Sequence, residues 1–205
     1  LNLQKFHPKD GFKNEVNLPD KMNPDLAFLL GALVSEGSYH QKQILFNNKD
    51  SEFYNKVKSI IQSQFKNVQL YERKIKGGCT ELSIYEQKVV LFLRNIGLSL
   101  LTSEKKVIPF SVLRSKQEDQ QHFLRALFEG DGSVSFLVDK RHGGKSIQLN
   151  YNSKSKVLIQ QIKVMLLNFG IISSSPYLDK RNDCLKLLIN SRENIHLFYE
   201  KIGFF

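Results

Sequence analysis

Cysteine is nearly absent from this 205-residue chain: Cys79 and Cys184 are the only two, too few for a disulfide framework or a zinc cage. Long apolar runs are missing too. The longest, Leu26 to Val34 with Gly31 inside it, is far too short to span a bilayer. The first twenty residues alternate Lys, Asn, Asp and Pro with single apolar side chains, so they contain no secretory h-region. The five histidines are scattered and form no H-x-x-x-H or H-E-x-x-H pair of the kind a helical zinc site needs. Acid is the scarcer charge: 20 Asp and Glu stand against 30 Lys and Arg, a net +10 at pH 7. These shortages exclude secreted mini-proteins, zinc fingers and membrane spans. An intracellular protein remains, in the cytoplasm or an organelle, with room for one or two cores. Its excess of positive charge predicts a polyanionic partner, nucleic acid ahead of an anionic membrane surface.

What the chain does have is a repeat. Leu26–Tyr39 and Phe123–Phe136 are apolar runs that each end in acid-Gly-Ser, and Glu36 precedes Asp131 by 95 positions. The likeness continues through two strand-to-helix passages and a final strand and helix, its offset drifting as loop insertions would produce. Periodicity gives both units one order. An apolar helix carries the acid at its end, and a hairpin follows at residues 39–47 and 134–150. An amphipathic helix comes next, at 51–65 and 154–169, with Asp50 and Ser153 placed to cap it. A second hairpin, at 68–85 and 174–190, and a last helix, at 86–96 and 191–202, complete each unit. The fold class is α+β: two pseudo-symmetric αββαββα repeats, each a four-stranded antiparallel sheet with helices on one face. Residues 24–97 form the first repeat and 118–205 the second. Residues 98–117 are a linker containing Pro109, and residues 1–23, with few apolar anchors, read as an extended arm.

The segment Leu26–Glu36 is apolar on every side, so its helix is buried on most sides. Gly31 at its middle costs about 1 kcal/mol against alanine, and close approach of another backbone is the natural reason. Ala126 holds the matching place in the second unit. Helices meeting at Gly31 and Ala126 would pair the repeats about a pseudo-two-fold axis and bring Glu36 and Asp131 together. Each acid would then face the negative end of its own helix dipole, and the two charges would repel one another. Stability does not select such an arrangement, whereas a divalent cation with hard oxygen ligands resolves it. Gly37 and Gly132 are suited to left-handed helix ends that expose the last carbonyls.

At these residues the sequence resembles the LAGLIDADG homing endonucleases. Leu29–Gly37 matches one copy of the nine-residue motif and Leu124–Gly132 the other, in the manner of the single-chain, two-repeat branch. The first acid is Glu rather than Asp, and Val34 replaces an acid that is not the metal ligand. The resemblance implies two saddle-shaped sheets along the DNA major groove and hydrolysis of both strands by divalent metal held at Glu36 and Asp131. It also implies that the carbonyl oxygens of Ser35 and Gly130 complete the metal shell. Asn48, with Lys105 or Lys106, occupies the places where the family sets polar and basic groups around the metals. Mg²⁺ is the implied ion, with Mn²⁺ as a substitute and Ca²⁺ supporting binding without efficient cleavage.

Strand alternation places Val134, Phe136, Ile147, Leu149 and Tyr151 on the inner face of the second repeat's sheet. Ser133, Ser135, Leu137, Asp139, Gln148, Asn150 and Asn152 then face outward. Gln and Asn can bond adenine edges bidentately, while Arg and Lys prefer guanine. Arg73, Lys74, Lys76, Arg141, Lys145, Lys180 and Arg181 gather at hairpins, within reach of bases or phosphates. The repeats differ at nearly all these positions, which predicts an asymmetric target. The leading reading is a monomeric, site-specific double-stranded DNA endonuclease. The alternatives are an RNA maturase acting on its host intron RNA and a DNA-binding regulator of the same fold without catalysis. An intein-borne enzyme is a further case, although neither Leu1 nor Phe205 resembles a splicing terminus.

Overall fold

The computed structural model describes residues 1–9, 11, 15–75, 77–99, 102–138 and 145–205. The first long helix, α1 (Pro24–Glu36), starts where the Asn23 side chain accepts the Leu26 amide and Pro24 supplies a pre-set first turn. Every residue from Leu26 to Ser35 is buried in it. Strands β1 (Gly37–His40) and β2 (Gln43–Asn48) follow, then α2 (Ser51–Gln64), β3 (Leu70–Lys74), β4 (Thr80–Ile84) and α3 (Gln87–Asn95). A 3₁₀ turn at Ser103–Lys105 and a short helix α4 (Phe110–Leu113) occupy the connection. The order then recurs as α5 (Gln117–Asp131), β5 (Gly132–Val138), β6 (Lys145–Ser153), α6 (Lys156–Asn168), β7 (Tyr177–Asp179), β8 (Cys184–Ile189) and α7 (Arg192–Lys201). Both sheets are antiparallel and share one topology, β1-β2-β4-β3 and β5-β6-β8-β7. Among the described residues no helix is long and apolar enough to cross a membrane.

The repeats join at α1 and α5. A β-carbon on Gly31 would stand 2.3 Å from the Phe123 carbonyl oxygen and 3.1 Å from the Ala126 β-carbon. Four residues on, a β-carbon on Gly130 would stand 2.3 Å from Ser35 Oγ. The two helices therefore touch backbone to backbone at Gly31, and four residues on the Ser35 side chain packs directly on the Gly130 backbone, so their C-terminal ends lie side by side. Around this seam the core gathers Phe28, Leu29, Leu33, Leu124, Leu127 and Phe128, all at most 2% exposed. Ile44, Phe46, Leu82 and Ile84 from the first sheet and Leu149, Tyr151, Leu187 and Ile189 from the second extend it, each below 5% exposed.

Four details depart from the sequence reading. Gly37 and Gly132 are not left-handed; their φ values of −80° and −77° are extended. Glycine is needed there for a different reason, since a β-carbon would lie 2.3 Å from the Leu33 or Phe128 carbonyl oxygen as helix passes straight into strand. The α6 cap is Ser155, which accepts the Leu158 amide; Ser153 instead accepts the Ser155 amide at 3.1 Å. The described residues of the N-terminal arm are anchored to the core, for Leu3, Val16 and Met22 are buried and Leu3 N donates to Asp20 O. Finally, Val134, Phe136 and Ile147 share the inward parity of Leu149 but are 44%, 77% and 43% exposed. That end of the β5–β6 hairpin runs past the helices that would cover it.

Candidate active site between the paired helices

Glu36 is the last residue of α1 and Asp131 the last of α5, so the helix seam delivers both carboxyls to one place. Burial is the main cause that holds the Glu36 carboxyl above its ordinary range, and the charge of Asp131 adds to it against the opposing pull of Lys106. Asp131 is likewise raised by burial, with Lys106 and a Tyr151 hydrogen bond acting the other way. The Tyr151 hydroxyl, completely buried, donates to Asp131 Oδ2 at 3.2 Å. Tyr151 pairs in register with Gly132 as Phe46 pairs with Gly37. The two halves of the site are thus alike in backbone and different in chemistry.

Lys106 reaches the site from the linker, its Nζ donating to the Ser35 carbonyl oxygen at 2.6 Å. Lys105, in the 3₁₀ turn, is exposed and has its amide bonded to Thr102 O. Asn48 lies two residues beyond the Gly37–Phe46 pair, and its Oδ1 accepts the Asp50 amide at 2.7 Å, shaping the turn into α2. Sequence reasoning passed over its neighbour. Asn47 and, at the equivalent place in the second repeat, Asn152 each carry a buried Oδ1 with no partner among the described residues. Both follow directly on the residues paired with Gly37 and Gly132, on the sheet face opposite Phe46 and Tyr151. Strand alternation, which sets Asn152 outward, was the signal that could have found Asn47 as well.

The donor set suits a hard cation. An ammonium already sits on the Ser35 carbonyl, and two carboxyls compete for the charge of that same group. Among the described residues no cluster of three or more His, Cys, Asp and Glu could hold a metal. Glu36 and Asp131 would therefore be the protein's anionic ligands, with carbonyl oxygens, water and a substrate phosphate filling the shell, as Mg²⁺ accepts.

Each sheet has a free face beside this centre. On the first, Tyr71, Arg73, Glu81, Ser83 and Tyr85 line a depression of about 270 Å³. The Tyr71 and Tyr85 rings meet edge to face at 5.0 Å, and Arg73 is paired with the buried Glu81. On the second, Asn150 was expected to point freely outward; it is 2% exposed. Its amide is consumed by Ser133, Ser135 and Asn152, since four short polar side chains crowd one stretch of sheet and satisfy each other. Gln148 is half-buried beside them, while Lys74, Lys145 and Lys180 are exposed. Arg181 grips Asp179 with two bonds of 3.0 and 2.7 Å, which pulls that carboxyl down to about 2. Lys76, Asp139 and Arg141 lie outside the described residues.

Two paired helices that each end in an acid, set between two four-stranded antiparallel sheets, define the two-repeat LAGLIDADG architecture. Residues 23–97 and 118–203 match the LAGLIDADG-like domain, and the chain belongs to that family. It is 30% identical to a DNA gyrase subunit of Mycobacterium kansasii over 98% of its own length and 37% of that protein's. It is 27% identical to the replication factor C small subunit of Methanocaldococcus jannaschii, covering 89% of this chain and only 10% of the relative. Among solved structures it resembles I-DmoI in complex with DNA and Mn, with a TM-score of 0.61 and 18% identity over 88% of this chain and 96% of that one. Full-length DUF199/WhiA from Thermatoga maritima superposes with a TM-score of 0.58 at 20% identity, over 91% of this chain and 58% of that one. At such identities these two structures establish the fold alone.

Proposed function

We propose that the chain is a site-specific double-stranded DNA endonuclease that hydrolyses both strands with divalent metal bound at Glu36 and Asp131. The observation that carries this reading is the pair of half-buried carboxyls at the helix seam, both raised by burial and served by one lysine. A fold-preserving regulator gains nothing from two acids whose desolvation and repulsion oppose folding. Bound metal would stabilise charge developing on the phosphate and activate water. Around it, Lys106 offsets negative charge and Tyr151 orients the Asp131 carboxyl, while the unpartnered oxygens of Asn47 and Asn152 are acceptors open to a bound water.

The free sheet faces would lie against the duplex, the Ser133–Ser135–Gln148 side meeting base edges and the exposed lysines meeting phosphates. Because one face carries tyrosines and an Arg–Glu pair and the other carries amides and hydroxyls, the target is asymmetric. The second repeat supplies the partner for the first, so the active form is a monomer. The matched gyrase and replication factor C proteins have unrelated names and contain the likeness in only part of their length, which supports an inserted module rather than a gyrase activity.

The test is selection from a randomised duplex library with Mg²⁺. A long asymmetric sequence cut on both strands is expected. Recovery of no cleaved sequence, with tight binding to intron RNA instead, would replace this reading with the maturase.

A further inference from the structure

Lys106 is fastened from behind. Its carbonyl oxygen accepts the Ser155 hydroxyl at 2.6 Å, and two residues later the Ile108 amide donates to Gln161 Oε1 at 2.8 Å. Ser155 caps α6 and Gln161 lies within it, so both anchors belong to the second repeat. The ammonium at the other end of Lys106 meets Ser35 of the first repeat. One residue of the linker is therefore held by its backbone to one repeat and by its side chain to the other.

Ser155 is fully buried and its single hydroxyl does two jobs. One lone pair takes the Leu158 amide at 3.1 Å, and the proton goes to Lys106. The equivalent cap in the first repeat is Asp50, which accepts the Glu52 and Phe53 amides. An ionised aspartate caps a helix as well as serine does but has no proton to donate. At position 155 it would set a carboxylate against the Lys106 carbonyl. Serine occupies the one α2/α6 cap that has the linker behind it, and capping alone does not account for that choice.

We propose that Ser155 and Gln161 are positioning residues for Lys106, through which the second repeat sets the ammonium at the acid pair. Lysine is a point charge on a flexible four-carbon stem, so where its ammonium rests depends on where its α-carbon is held. The two bonds flank Val107 and fix that launch point. The consequence for cleavage rests on the nuclease reading above; the clamp itself does not.

The experiment uses the full chain with Gln161→Met and Ser155→Ala, against Gln161→Glu and Ser155→Thr, which keep the acceptor and the donor. Gln161→Met leaves the α6 cap untouched and so guards against loss of folding in Ser155→Ala. The first measurement is the rate of amine acylation at Lys106, located by mass spectrometry without DNA or metal, with exposed Lys105 as internal reference. Lys106 should label severalfold more slowly than Lys105 in the wild type, and approach it in Gln161→Met and Ser155→Ala but in neither conservative variant. The second is single-turnover cleavage of library-selected DNA in Mg²⁺, with affinity measured in Ca²⁺. Gln161→Met should lose about tenfold to a hundredfold in rate, the scale of small misplacements, with affinity kept. Combined with Lys106→Met it should add no further loss, as coupled residues behave. Wild-type labelling of Lys106 in both Gln161→Met and Ser155→Ala would overturn the clamp, and losses that add fully to Lys106→Met would overturn its role in cleavage. If the wild type cuts no selected DNA, the nuclease reading fails while the labelling rates still decide the clamp.

Discussion

Tyr151 donates its hydroxyl proton to Asp131 across 3.2 Å, whereas Phe46, in the same register position, has none to offer Glu36. Asp131 is nonetheless held above the ordinary carboxylate range because burial outweighs that bond. The folded protein therefore keeps a proton that the unfolded chain releases. Stability of the metal-free protein should fall as pH rises from the ordinary carboxylate range through the raised value, then level off. Asp131→Asn should melt higher than the wild type at neutral pH in a chelator and converge with it in acid. Tyr151→Phe, which removes a contact favouring the ionised form, should steepen the fall. Melting temperature against pH is the measurement, and parallel profiles for wild type and Asp131→Asn would refute the argument.

Gly31→Ala tests the helix seam. Alanine gains helix propensity by about 1 kcal/mol, yet its β-carbon would meet the Phe123 carbonyl at 2.3 Å, and a backbone atom cannot rotate away. Overpacking of this kind costs about 1–3 kcal/mol and more when backbone must move, so the net effect should be destabilising. A denaturant midpoint at or above that of the wild type would mean that α1 and α5 separate without cost.

Legibility from the sequence followed the range of the interaction. The αββαββα order and the acid pair were readable because periodicity and a 95-position repeat are properties of the chain itself. The meeting of Gly31 with Ala126 was readable because a glycine in an apolar helix needs a close neighbour. The Gly37 and Gly132 conformation and the α6 cap failed on local geometry; the other misses depended on contacts between distant segments. Parity put Phe136 on the face of Leu149, but no local pattern reveals that it is left 77% exposed at this end of the hairpin. Asn150 looked like a base reader until its neighbours Ser133, Ser135 and Asn152 consumed its amide. Ser155 holding the Lys106 carbonyl joins residues 49 positions apart, and no spacing rule announces it.

Arg181 is held by Asp179 rather than free for DNA. Asp179→Asn removes one negative charge and releases a guanidinium at the β7–β8 turn. Affinity for all DNA sequences should rise, and the dependence of log affinity on log salt should steepen by up to about 1. Gel-shift titrations across salt concentrations read both. Weaker binding would mean that the Arg181–Asp179 pair itself presents the surface that DNA recognises.

The decisive pair is Glu36→Gln with Asp131→Asn. Each change removes an anionic ligand and leaves both sheet faces as they are. If metal at these carboxyls activates water and stabilises the phosphate's developing charge, either change should cost orders of magnitude in cleavage rate. Binding should survive or tighten, because a carboxylate facing phosphates repels them when no metal intervenes. Ca²⁺, larger and less exacting in geometry than Mg²⁺, should support binding with little cutting in the wild type. Affinity and cleavage must be measured on one selected site, since a loss of both would signal damaged DNA recognition rather than lost chemistry. Cleavage by the double variant at the wild-type rate would remove Glu36 and Asp131 from the active site altogether.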